Sequence, residues 1–260
     1  MQDLKVALIQ TNQFWEDKKA NFRHLEEVHF SKIKSGECDL ILLPEMFNTG
    51  FSMNVHALAE DINGESIQWL KAWSGKLNSR IGASLIIKES GKFYNRFVII
   101  YDDEIETFYD KRHLFRMANE NEFFTAGNER VIYQLKGWNI LLQICYDLRF
   151  PVFSRNKTIG DKKEYDLIIY IANWPEKRSS IWSVLLSARA IENQVYCVGL
   201  NRVGSDGKNI FYSGDSAVID PWGTTEFQAT KNEEAVKILT LHAIKLDDIS
   251  RQFPAFKDAD

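Results

Sequence analysis

Apolar runs in this chain are short, and each stops at a polar turn. Leu4–Gln10 and residues 39–43, 139–144, 166–172 and 195–201 are too brief for helices and dense in the branched side chains of buried strands. Between them lie stretches with apolar residues at helical spacing. One follows Asp17, a possible cap, with Phe22 and Leu25 on its apolar face. Another spans 66–77, and a third, Ser179–Asn193, carries Ile181, Val184, Leu185, Ala188 and Ile191. Strands alternating with helices confine the chain to an α/β fold. Strands at 80–88 and 93–101, split by Glu89-Ser-Gly-Lys92, form a hairpin, so the sheets are mixed. Further strands are expected at 104–109, 131–135, 213–220 and Ala235–Leu241, and a loop over 48–64. No linker, low-complexity run or strong internal repeat divides the sequence, and residues 1–260 read as a single domain.

Composition narrows the function. With 260 residues, 45% apolar and 26% charged, the chain can bury one substantial core. A net charge of −4 recommends no nucleic-acid partner and no anionic membrane surface. The lysines of Asp17-Lys-Lys19 and Asp161-Lys-Lys163 are interleaved with acids and read as solvated surface. No apolar run approaches the ~18 residues of a membrane helix. Met1 leads straight into a strand without the pattern of a signal peptide. Cys38, Cys145 and Cys197 fit neither a metal spacing nor a disulfide framework, so the expected compartment is a reducing cytoplasm and no metal site is expected.

Three strand ends carry reactive side chains: Glu45 in Leu40-Ile-Leu-Leu-Pro-Glu45, Lys111 in Phe108-Tyr-Asp-Lys-Arg-His-Leu-Phe115, and Cys145 in Ile140-Leu-Leu-Gln-Ile-Cys-Tyr-Asp-Leu-Arg-Phe-Pro151. Strand ends beneath a common crevice are where α/β folds assemble sites. A free cysteine ordinarily packs as a small hydrophobe, and that reading is kept for Cys38 and Cys197. Cys145 differs because its strand gives way there to a turn, where following backbone N–H groups favour a thiolate and hold an oxyanion. Taken singly, Glu45 and Lys111 would pass for surface charges. Of the five histidines only His113 lies in a candidate segment, and no papain-like signature surrounds the cysteine, which speaks against a Cys–His pair.

These segments, in this order, resemble the nitrilase (carbon–nitrogen hydrolase) superfamily, as do Ala188-Arg-Ala-Ile-Glu-Asn193 and Asn201-Arg-Val-Gly204. Within it the chain looks most like the bacterial ω-amidases, on Arg112-His-Leu-Phe-Arg-Met117, Ala172-Asn-Trp-Pro175 and Phe253-Pro-Ala-Phe-Lys-Asp-Ala-Asp260. The resemblance implies a four-layer αββα sandwich with two mixed sheets, and assembly as a homodimer or dimer of dimers. It implies a Glu-Lys-Cys triad at Glu45, Lys111 and Cys145. A second glutamate is implied in Glu120-Asn-Glu-Phe-Phe-Thr-Ala-Gly127, assigned to Glu120 with Glu122 as the alternative. The implied activity is hydrolysis of the terminal amide of 2-oxoglutaramate or 2-oxosuccinamate through a cysteine thioester, with no cofactor.

On that mechanism Glu45 takes the thiol proton, and Lys111 with the N–H of Tyr146 stabilises the oxyanion. A substrate carboxylate calls for a guanidinium, first Arg149 and then Arg116, with Phe115 and Trp174 as apolar walls. Alternatives are an aliphatic amidase, an N-carbamoyl amine amidohydrolase or a nitrilase, and, in a different class, an inactive nitrilase-like binding protein.

Overall fold

The computed structural model describes residues 1–258; Ala259 and Asp260, which end both the C-terminal motif and the 1–260 domain span, lie outside the described residues. Twelve strands form two six-stranded sheets. The first holds β1 (Leu4–Gln10), β2 (Leu40–Leu42), β3 (Arg80–Glu89), β4 (Lys92–Tyr101), β5 (Glu104–Asp110) and β12 (Ala235–Leu241), in the order β12-β1-β2-β3-β4-β5. The second holds β6 (Ile132–Leu135), β7 (Trp138–Ile144), β8 (Leu167–Ala172), β9 (Tyr196–Asn201), β10 (Ala217–Ile219) and β11 (Thr225–Gln228), in the order β6-β7-β8-β9-β10-β11. Both sheets have the same pairing pattern: an antiparallel edge, three parallel strands in the middle, then two antiparallel pairs. This architectural repeat has no counterpart in sequence self-similarity.

Alternation along β1 explains the layering. Leu4, Val6 and Leu8 point into a core shared with the second sheet, while Ala7 and Ile9 face the other way. That outer face is covered by α1 (Lys18–His24), the turn that follows it and α2 (Glu65–Leu77), through Phe22, Leu25, Ile67 and Leu70. The second sheet is covered by α3 (Ser179–Asn193), whose Trp182, Leu186 and Ala190 are buried. The order is helix, sheet, sheet, helix: the expected αββα sandwich. Asp17 caps α1 by accepting from Ala20 N–H at 2.9 Å, an interaction typically worth about 1 kcal/mol. Beyond His24 the helix widens into a π turn, Leu25–His29, and tightens into a 3-10 turn, Phe30–Lys32.

Two expectations are corrected. The strand foreseen at 213–220 is broken, because Gly214 and Asp215 have φ of +80° and +58° and turn the chain. Only Ala217–Ile219 joins the sheet; Phe211–Ser213 pairs with Val203–Ser205 in a separate hairpin. The loop over 48–64 contains a short helix, Val55–Leu58. A C-terminal helix, α4 (Ala243–Gln252), was not foreseen. Among the described residues, no helix is long and apolar enough to cross a membrane.

Candidate active site

Glu45 sits just beyond β2, Lys111 just beyond β5, and Cys145 at the end of β7. Folding brings all three, with Glu120, to one point between the sheets. Lys111 Nζ donates to Glu45 Oε1 at 2.9 Å and to Glu120 Oε1 and Oε2, each at 3.0 Å. Glu45 and Glu120 have no exposed surface and Lys111 has 1%. The surface-charge reading is therefore excluded for Glu45 and Lys111. Glu122 is exposed, so the second carboxylate at the lysine is Glu120. Glu120 is fixed by the Phe115 N–H at 2.6 Å.

The motif's Gly127 has a steric reason. A Cβ there would lie 2.2 Å from the Asp110 carbonyl oxygen, next to Lys111, and the Gly127 N–H donates to the Lys111 carbonyl at 3.0 Å.

Cys145 adopts φ +44°, a left-handed conformation that a non-glycine residue holds only when its surroundings enforce it. Asp147 supplies that enforcement. Its buried carboxylate accepts from Ile144 N–H at 3.0 Å on the nucleophile turn, and from Tyr109 OH at 2.8 Å and His113 N–H at 3.0 Å on the lysine segment. His113 Nδ1 also meets Asp147 at 2.8 Å while its ring stacks on Phe150, so His113 braces the turn and is not paired with the thiol.

Electrostatics make the resting state explicit. Burial alone would depress the Lys111 pKa, but Glu120 and then Glu45 outweigh it and hold the ammonium above its ordinary value. Burial pushes the Glu120 carboxyl up, against the pull of Lys111. Burial also raises the Cys145 thiol well above its ordinary value, and the Glu45 charge adds to this more than Lys111 removes. Against the expectation of a resting thiolate, burial beside two carboxylates favours the protonated thiol. Cys38, raised to about 11 by burial, and Cys197, raised further, are inert packing.

Two asparagines were missed. Asn95 on β4 donates to Glu45 Oε1 at 2.8 Å and lies 3.5 Å from Glu120 Oε1. Asn173, just past β8, donates its N–H to Glu45 Oε2 at 2.8 Å, and its carbonyl lies 3.8 Å from Cys145 Sγ. The Asn173 side chain and Gln13 hold the Glu45 carbonyl at 2.5 and 2.9 Å. A polar residue inside an apolar strand was the available signal for Asn95. Asn173 lay in a motif already singled out.

The site opens into a cavity of about 790 Å³. Lys111, Cys145, Tyr146 and Arg149 line it, with Phe115 and Trp174 among its aromatic walls. Arg149 lies over Trp174 at 5.4 Å, and Arg178, a wall residue not foreseen, lies over Phe115 at 5.3 Å. Neither guanidinium has an ion-pair partner among the described residues. Arg116 is exposed and lies outside the lining, because its short 3-10 turn leaves the side chain in solvent; Arg178 occupies the wall instead.

A buried thiol beside a carboxylate, an ammonium and a second carboxylate is equipped for nucleophilic acyl transfer. Comparison with known proteins agrees. The carbon-nitrogen hydrolase family model matches residues 5–251. Omega-amidase YafV of Yersinia enterocolitica is 43% identical, covering 100% of this chain and 98% of its own. The 2-oxoglutaramate amidase of Bacillus subtilis is 32% identical over 93% of this chain and 90% of its own. XC1258 of Xanthomonas campestris, a CN-hydrolase superfamily protein solved with an arsenic adduct in its active site, superposes with a TM-score of 0.95 at 38% identity, covering 100% of this chain and 98% of that one.

Proposed function

The chain belongs to the carbon–nitrogen hydrolase family, and from that premise we propose that it is an ω-amidase, releasing ammonia from the terminal amide of 2-oxoglutarate- or 2-oxosuccinate-type monoamides. The observation that carries this reading is the pairing of the buried Glu45–Lys111–Glu120 cluster beside Cys145 with two guanidiniums on an aromatic-walled cavity that have no ion-pair partner among the described residues. The first performs acyl transfer; the second suits a substrate that brings its own carboxylate. Full-length identity to omega-amidase YafV supports the same class.

Charge accounting suggests the order of steps. Losing the thiol proton to solvent would add a negative charge to a buried site already holding two carboxylates and one ammonium. Passing it to Glu45 leaves the total unchanged. The thiolate then attacks the amide carbon and the carbonyl oxygen becomes an oxyanion. Protonated Glu45 holds Lys111 less tightly, freeing one ammonium N–H for that oxygen, with the N–H of Tyr146 as second donor. Glu45 returns the proton to the departing ammonia, takes one from the water that attacks the thioester, and gives it back to the Cys145 thiolate as the carbon–sulfur bond breaks. Asn95 and Asn173 keep the carboxylate aimed, and Glu120 keeps Lys111 charged and in place. Arg149 and Arg178 hold the substrate carboxylate, against the walls made by Phe115 and Trp174.

The 1–260 span acts as one catalytic domain. Its proposed assembly is a homodimer through α3, whose solvent face exposes Val184 and Ile191, two turns apart. The substrate assignment is tested by ammonia release from 2-oxoglutaramate, 2-oxosuccinamate, glutamine, an aliphatic amide, a carbamoyl amine and a nitrile. The two oxo-acid monoamides should be preferred by at least tenfold in kcat/KM. Preference for any of the others replaces the substrate class while leaving the triad in place.

A further inference from the structure

A second constellation lies away from the active-site cavity, where the end of β1, the end of α1 and the connection from β11 to β12 meet. His24 Nε2 lies 2.6 Å and His29 Nε2 3.6 Å from Glu234 Oε1. One donor atom from each residue lies within 4.8 Å of the others. The two rings approach edge to face, 5.2 Å apart. We propose that His24, His29 and Glu234 form a binding site for a divalent transition-metal ion of the zinc class.

The helix geometry is the first argument. Residues five apart in a regular α-helix point about 140° away from each other. The π turn over Leu25–His29 adds the residue that brings positions i and i+5 onto one face, and so brings His29 beneath His24. Without it the two imidazoles would diverge. Such turns recur where a helix is adapted to a site.

The donor set is the second argument. Two imidazole nitrogens and a carboxylate oxygen suit zinc, with bonds of about 2.0–2.2 Å. Tetrahedral ligands at that distance stand about 3.3 Å apart. The His29–Glu234 spacing, 3.6 Å, already falls near this, and His24 must draw back from Glu234 by less than an ångström. Thr11 Oγ1, 2.8 Å from His29 Nε2 and 3.1 Å from Glu234 Oε1, closes the fourth side. The Asn12 N–H donates to that same Glu234 Oε1 at 2.7 Å and holds the carboxylate in place. Phe14 packs edge-on against His24 and partly screens the site.

The position suggests a bracing role. Gln13, two residues beyond Thr11, donates to the Glu45 carbonyl, so an ion here would tether the strand end that supports the base. The site neither depends on the proposed reaction nor takes part in it.

The test uses Cys145→Ala protein, so that the active-site thiol contributes no zinc, alone and with His24→Gln, His29→Gln or Glu234→Gln. Each is loaded with zinc chloride, desalted and assayed for metal, with circular dichroism to verify folding. The parent should retain one zinc per chain, and each variant at least tenfold less. Zinc should raise the parent's Tm by several degrees and leave Glu234→Gln unmoved. Cobalt(II) should give the visible absorption of a tetrahedral nitrogen–oxygen site in the parent only. Zinc retention equal in parent and variants, or no retention in the parent, overturns the proposal. So does a cluster that takes no metal and gains Tm only as pH falls, since that would be a protonated imidazole clasp.

Discussion

Glu45 is held by three donors on its two oxygens, from Lys111, Asn95 and the Asn173 backbone, so it has one orientation to offer the thiol. Its charge also helps keep the resting thiol protonated, after the larger effect of burial. This gives an unusual expectation for Glu45→Gln. Amide turnover should fall by ~10³-fold or more as the proton acceptor is lost. Alkylation of Cys145 by iodoacetamide at fixed pH should be undiminished or faster, since removing the charge lowers the thiol pKa. In the wild type the alkylation rate should climb about tenfold per pH unit through pH 9, because only the thiolate reacts and its fraction grows until the raised pKa is reached. Slower alkylation in Glu45→Gln would mean that Glu45 activates the thiol in the resting enzyme. Arg149→Ala should raise KM at least tenfold for 2-oxo acid amides, and little for neutral amides. Equal effects on both would remove its assigned role. Legibility at this scale was uneven. The charged residues stood at strand ends where their chemistry was visible, whereas Asn95 acquires a role only when β4 crosses behind Glu45 and Glu120. Arg178 is distinguished from other exposed-looking cations only by the cavity it borders. His24, His29 and Glu234 stand too far apart in sequence, the first two at a spacing that no regular helix aligns.

Among the elements, Leu4–Gln10, Ser179–Asn193 and Ala235–Leu241 could be read to the residue from their apolar patterns. The strand at 213–220 failed because its apolar residues are only Ala217–Ile219, while the preceding Gly214 and Asp215 reverse the backbone's hand and turn the chain. The C-terminal α4 buries Ala243, Leu246 and Ile249, a narrow apolar stripe among charges that follows a strand without a separating turn. Where α3 crosses β9, a Cβ at Gly199 would lie 2.4 Å from Leu186 Cδ1 and 2.8 Å from Trp182 Cζ2. Gly199→Ala should therefore destabilise by about 1–3 kcal/mol through overpacking, seen as a lower denaturant midpoint at unchanged m-value. An unchanged midpoint would mean that the helix and strand are less tightly apposed than described.

For the whole molecule, α/β class and mixed sheets followed from strand and helix patterns, whereas the division into two like-patterned sheets did not. Both sheets arise from unrelated sequences, so only pairing partners reveal the repeat. Their shared core places strand ends from both sheets around one crevice, which is why residues a hundred positions apart meet. If the exposed face of α3 is the dimer interface, Val184→Lys with Ile191→Lys should shift the sedimentation coefficient to that of a monomer, with the far-ultraviolet circular dichroism retained; an unchanged oligomer would place the interface elsewhere. The most direct test of the account remains ammonia release from 2-oxoglutaramate by the wild type and by Cys145→Ala. Turnover by the wild type and its loss by at least ~10³-fold in a variant with unchanged circular dichroism is the predicted result. A folded Cys145→Ala protein working at the wild-type rate would contradict the thioester route.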